Sequence, residues 1–169
     1  LGPIGTMTAM VAKLYGYSVI GFDVSQYRIN YVKNIFGIEA YHADYMKKGM
    51  SSIPDEGTDI AIECTGIPVT VGNIINIIRR GGRIVVAGHF YPNGKVDIDP
   101  YDICKNDIEI VGTVLGDETA YRTAINILSE NVFPWEKVIS HKYEFEKTPD
   151  AFQKAKERNC MKVTVKSYV

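Results

Sequence analysis

Short runs of consecutive apolar residues alternate with segments of helical period from residue 1 to about residue 130. That alternation constrains the fold, because strands separated by helices pair in parallel and carry the helices on their faces. Residues 4–15 place Ile4, Met7, Met10, Val11 and Leu14 at helical spacing, with Gly16 as the stop. YSVIGF at 17–22 reads as a buried strand ending at Asp23. Ser25 is placed to cap a helix carrying Ile29, Val32, Lys33 and Phe36, which Gly37 closes. A strand follows near Glu39–His42, and 43–57, with Lys47, Lys48, Gly49, Pro54 and Gly57, reads mostly as loop. Thr58–Cys64 is the next strand, and Val69–Ile78 the next helix, stopped by Arg79-Arg80-Gly81-Gly82. Arg83–Ala87 and Ile108–Val114 are apolar runs of the kind covered on both faces of a parallel sheet. Glu118–Leu128 is helical, with Ala124, Ile125 and Leu128 on one face. The expected fold is α/β, a doubly wound parallel sheet.

The last forty residues break this rhythm at Pro134-Trp135. Ile139–Phe145 reads as a strand, Thr148–Arg158 as a helix and Met161–Lys166 as an alternating strand. They either continue the sheet or dock on a second domain. The expected division is therefore 1–130 and 131–169.

Hydrophobic residues make up 46% and charged residues 23%, with a net charge of −1, which is an ordinary soluble balance. This gives no basic footprint for nucleic acid and no electrostatic reason to sit on a membrane. No apolar run approaches the length of a membrane span, and no signal peptide is evident, so the expected setting is the cytoplasm. Cys64, Cys104 and Cys160 are odd in number and widely spaced, which disfavours a disulfide framework or a structural zinc knot.

Gly2-Pro3-Ile4-Gly5 matches the tail of G-x-G-x-x-G. A glycine at position 2 lets backbone approach a pyrophosphate, and the N–H groups of Ile4 and Gly5 point from a helix start toward the anion. A glycine turn before a helix is the plain alternative. Asp23 lies eighteen positions after Gly5, at the end of the strand that follows the first helix. There a carboxylate hydrogen-bonds the adenosine ribose hydroxyls and repels a 2′-phosphate, which selects NAD over NADP. Arg28 reaches the adenosine side or belongs to a solvated helix face. Thr65-Gly66 and Gly88-His89 end strands at the carboxyl edge, where ligands of open α/β sheets bind. There, small residues leave room for a cofactor or merely turn the chain.

With these motifs in order, the chain resembles the zinc-type medium-chain dehydrogenases, especially their polyol (sorbitol-like) and alcohol members. The resemblance is carried by GPIG at 2–5, GFDVSQYRI at 21–29, DIAIECTG at 59–66, GGRIVVAG at 81–88, IEIVGT at 108–113 and SHKYEFEKTPDAFQKAKE at 140–157. It implies a Rossmann cofactor domain followed by a segment that returns to the catalytic domain. By position it implies Asp23 as the ribose ligand and Arg28 as the basic residue beside the adenosine. It makes Thr65, Gly88 and His89 cofactor-lining residues, and Thr113 and Leu115 the loop near the nicotinamide. Lys162 falls where a basic residue helps neutralise the pyrophosphate, and Lys95–Asp99 matches the edge through which family members dimerise. A homodimer or homotetramer is implied, as is an alcohol or polyol substrate. VLGDETAY at 114–121 departs from the polyol-enzyme loop. The resemblance places the catalytic and structural zinc sites in an N-terminal domain that this chain does not contain.

Three alternatives stay open: a zinc-free quinone-reductase-like enzyme of the same superfamily, a non-catalytic nucleotide-binding module, and a methyltransferase domain. The strand order of a doubly wound sheet puts its central strand just before residue 1. The chain is therefore expected to be a piece of a longer polypeptide.

Overall fold

The structure is a computed structural model and describes residues 1–47, 53–54, 56–90 and 94–167. In chain order it contains α1 (Pro3–Leu14), β1 (Ile20–Asp23), α2 (Gln26–Phe36), β2 (Glu39–His42), β3 (Thr58–Glu63), α3 (Pro68–Ile75) and β4 (Ile78–Val86). These are followed by α4 (Pro100–Lys105), β5 (Glu109–Gly112), α5 (Glu118–Ser129), β6 (Ile139–Glu144), α6 (Thr148–Lys156) and β7 (Lys162–Lys166). All the strand pairs are parallel: β1 with β2, β4 with both β3 and β5, and β6 with β7. The expected parallel α/β architecture is present, with its strands hydrogen-bonded in three groups. No helix among the described residues is long and apolar enough to cross a membrane.

The chain divides into two compact units, Leu1–His42 with Gly116–Val169, and Ala43–Leu115. In the first, Pro3 occupies the opening turn of α1, where its missing N–H costs nothing. Gly16 takes the left-handed conformation (φ +84°) beyond the helix end, and the Tyr17 N–H returns to the Ala12 carbonyl. That return keeps Tyr17 with the helix, so β1 begins at Ile20 rather than at 17. Ser25 caps α2, its hydroxyl accepting from the Arg28 N–H, and Gly37 ends the helix in the left-handed conformation. Met10, Ile29, Val32, Ile38 and Ala40 form one core with Leu1, Val138 and Met161. Each such large side chain contributes roughly 1.5–3 kcal/mol on burial. The helix α5 forms as expected, but its apolar face is not buried, with Ile125 65% exposed and Leu128 also exposed. Nothing among the described residues covers that face.

In the second unit Ile74, Ile78, Ile84 and Ile108 form the core, with Ala61 and Val86 against it. The chain pairs Thr58 with Ile78, shifts register, and resumes at Ile60 opposite Arg83. Arg79–Gly82, expected as a turn, is thereby drawn into β4, and α3 stops at Ile75. Sequence reading missed α4, although Asp99 caps it through the Tyr101 N–H and Pro100 opens it. The proposed dimer edge leads into that cap. The 43–57 stretch, expected as loop, begins with a 3₁₀ turn at Ala43–Lys47; Lys48 and Gly49 lie outside the described residues. The register places Glu63 beside Val86 and Val86 beside Gly112. The carboxyl ends of all three strands are therefore level, and the turns after them leave from one edge.

Candidate functional site

In the first unit the candidate site is built on the start of α1 and the end of β1. Gly2 is the residue that caps α1, with no side-chain hydrogen bond and no acidic residue in the first turn. The first turn itself therefore supplies no carboxylate to offset the positive end of the helix dipole. Ile4 is exposed, and Pro3 and Gly5 are half-buried, in that first turn. A Cβ on Gly2 would stand 3.5 Å from Arg28 Nη1, an ordinary contact, and the Gly2 φ of −65° suits any residue. Neither backbone nor neighbours demand glycine there.

Asp23 ends β1 with its side chain 8% exposed. Its Oδ2 accepts from the Leu1 backbone nitrogen at 2.8 Å and its Oδ1 from the Ser25 N–H at 2.8 Å. Burial pushes this carboxyl up, whereas the Ser25 N–H and the Arg28 guanidinium pull it down. Arg28 Nη1 lies 3.8 Å from Asp23 Oδ2. Gly2, Asp23 and Arg28 are thus brought together, and Arg28 is not simply a solvated helix residue. Lys162 is exposed at the first position of β7, with Ile139 as its strand partner.

Sequence reading missed the loop that supports this cluster. The Cys160 carbonyl accepts from Arg28 Nε at 3.2 Å, and the Arg158 carbonyl from the Ser25 hydroxyl at 3.3 Å. Backbone acceptors so far along the chain leave no trace in composition or periodicity.

In the second unit a cavity of about 310 Å³ opens at the level strand ends, lined by Ala87, Gly88, His89, Thr113, Val114 and Leu115. Four predicted residues (Gly88, His89, Thr113 and Leu115) therefore share one cavity. Leu115 is 88% exposed and has φ +57°, a left-handed conformation that costs a non-glycine residue about 1–2 kcal/mol. Thr65 is not in the cavity wall; its hydroxyl and its N–H both bond the Glu63 carboxylate.

The two glycines at this edge stand against other parts of the protein. A Cβ on Gly66 would fall 2.1 Å from the His89 carbonyl oxygen, and one on Gly88 would fall 2.3 Å from Glu63 Oε2. The space they leave is filled by the protein itself, and only Gly88 also faces the cavity. Glu63, buried between them, was missed. Its one signal is an acidic residue late in the strand TDIAIEC, just before Thr65-Gly66.

Among the described residues, no three His, Cys, Asp or Glu side chains stand together as a metal requires. Of the three cysteines, Cys64 is half-buried, Cys104 exposed and Cys160 buried.

Residues 3–130 match the family model described as zinc-binding dehydrogenase. The chain is 26% identical to D-arabinitol dehydrogenase 1 of Uromyces fabae, over 98% of this chain and 49% of that protein. It is also 26% identical to sorbitol dehydrogenase of Bacillus subtilis (strain 168), over 98% of this chain and 48% of that one. The chain thus spans about half the length of the curated relatives it matches.

Among solved structures, 2R,3R-butanediol dehydrogenase from Bacillus subtilis superposes with a TM-score of 0.84 at 20% identity, over 99% of this chain and 49% of that one. An alcohol dehydrogenase of Escherichia coli CFT073 complexed with NADH gives 0.77 at 21% identity, over 96% and 49%. A zinc-binding dehydrogenase of Sinorhizobium meliloti 1021 bound to NADP gives 0.75 at 22%, over 89% and 45%. At these identities the likeness is one of fold.

Proposed function

The chain belongs to the zinc-binding dehydrogenase family, and from that premise we propose that it binds NAD for an enzyme moving hydride between an alcohol or polyol and that cofactor. The observation that carries the reading is the cluster of Gly2, Asp23 and Arg28 at the start of α1. Asp23 holds the adenosine ribose and disfavours a 2′-phosphate, and Arg28 lies alongside it. The N–H groups of Ile4 and Gly5 face the pyrophosphate, with Lys162 as a further cation. In the second unit the cavity takes the nicotinamide end: Gly88 and His89 form its wall, Thr113 and Leu115 offer backbone groups, and Thr65 braces it from behind.

When bound, the dinucleotide supplies the hydride acceptor, and this chain's residues bind and orient it. Zinc finds no ligand set among the described residues. In this proposal the metal and the acid–base groups belong to a catalytic domain outside the chain, consistent with relatives about twice as long. Residues 1–130 are the cofactor domain, a division supported by the family match ending at residue 130. Residues 131–169 lead back to the catalytic domain, and the complete enzyme is a homodimer or homotetramer.

Titrating the chain with NADH, NADPH and S-adenosylmethionine tests the reading. Saturable NADH binding is expected, reported by energy transfer from Trp135, the single tryptophan. NADPH should bind more weakly and S-adenosylmethionine not at all. Absence of NADH binding, or equal affinity for NADPH, rejects the assignment.

A further inference from the structure

Glu63 ends β3 with only 1% of its surface exposed, yet the proposed cofactor contacts make no use of it. A carboxylate so deeply buried is held at a cost unless donors satisfy it. Here the Thr65 N–H reaches Oε1 at 2.6 Å, the Thr65 hydroxyl bonds the same oxygen, and the Gly66 N–H is 3.2 Å from both oxygens. The main chain of Glu63 is engaged as well, its carbonyl accepting from the Ala87 and Gly88 N–H groups at 2.9 and 3.0 Å. Glu63 therefore grips the turn after β3 with its side chain and the exit of β4 with its backbone. The close approaches of Gly88 to Oε2 and of Gly66 to the His89 carbonyl leave no slack between the two.

We infer that Glu63 is a positioning residue, locking the Thr65–Gly66 turn onto residues 87–89 and thereby fixing the cavity wall formed by Ala87, Gly88 and His89. The inference rests on the reading of that cavity as the nicotinamide end of the cofactor site, and its ligand class is a nicotinamide mononucleotide. A carboxylate offers only acceptors to the three donors around it. An amide of the same shape turns one acceptor into a donor facing Gly66 or Thr65, and the wall has to move.

The test is a titration of the full chain with nicotinamide mononucleotide, followed by backbone amide NMR at a temperature where every variant is folded. In the unmutated chain the signals of Gly88, His89 and Thr113–Leu115 should shift. In Glu63→Gln the dissociation constant should rise at least about tenfold, the size expected when buried donors lose their acceptor. Thr65→Val removes one exposed donor, gives a smaller rise, and carries the test if the glutamine variant does not fold. A role confined to stability would lower the melting temperature and leave the affinity of the folded population unchanged. No shift in the unmutated chain rejects the cofactor reading of the cavity, and the inference falls with it. Shifts in the unmutated chain, with affinities within twofold in both variants, reject the inference alone.

Discussion

The Nε of Arg28 donates to the carbonyl oxygen of Cys160, a hydrogen bond of 3.2 Å across 132 residues of sequence. The contact orients a planar cation. With Nε tied to the loop before β7, Nη1 stands 3.8 Å from Asp23 Oδ2 and beside Gly2. The loop is itself held by the Ser25 hydroxyl on the Arg158 carbonyl, and Arg158 takes the left-handed conformation (φ +58°). Residues 158–160 are thus part of the support of the cluster of Gly2, Asp23 and Arg28.

Arg28→Lys keeps the charge and loses the fixed fork of donors. Its NADH affinity should fall by about tenfold, approaching that of Arg28→Met, because a charge-assisted hydrogen bond is worth roughly 1.5–3 kcal/mol. Full retention of affinity in the lysine variant would show that charge alone suffices.

Asp23 should govern cofactor choice. A carboxylate facing a phosphate dianion is repelled at close range even in a high-dielectric surface setting. The Asp23→Gly variant should therefore bind NADPH more nearly as well as NADH than its parent does. Competition titrations with the two cofactors measure this; an unchanged ratio assigns selectivity elsewhere.

Gly88→Ala should destabilise the fold by about 1–3 kcal/mol or more, as overpacking against backbone does. Gly66→Ala adds the cost of its φ of +70°, roughly 1–2 kcal/mol. Gly112→Ala is the control: its Cβ would meet nothing within 4 Å. Denaturant midpoints should separate the first two variants from the third.

These positions mark what sequence reading can reach. The Ser25 cap, the Gly37 stop and Asp23 at a strand end are local signals, and each took its expected place. Gly66 and Gly88 were legible as glycines at the carboxyl edge of the strands, but not as residues denied a Cβ, Gly66 by the His89 backbone and Gly88 by the Glu63 carboxylate and the Gly66 backbone. That exclusion depends on strand register, which the pattern along one strand does not reveal. Glu63 and Cys160 were illegible for a related reason, since the role of each lies in partners supplied by tertiary packing. The Asp99-Pro100 start of α4 was a local signal that went unread. The amphipathic pattern of α5 correctly foretold a helix, but not that its apolar face would stay open.

The core that joins Leu1 and Met10 to Val138 and Met161 belongs to a unit made of two separated stretches of chain. During synthesis, α1 and α2 leave the ribosome long before their last core partner exists. Ala43–Leu115 is one unbroken stretch and can complete its own packing first. Residues 1–42 must meanwhile keep Met10, Ile29 and Val32 from other apolar surfaces until Met161 arrives. Nascent chains stalled before residue 161 should therefore be protease-sensitive across 1–42 while 43–115 is already protected, and the early segment should be the natural client of a holding chaperone.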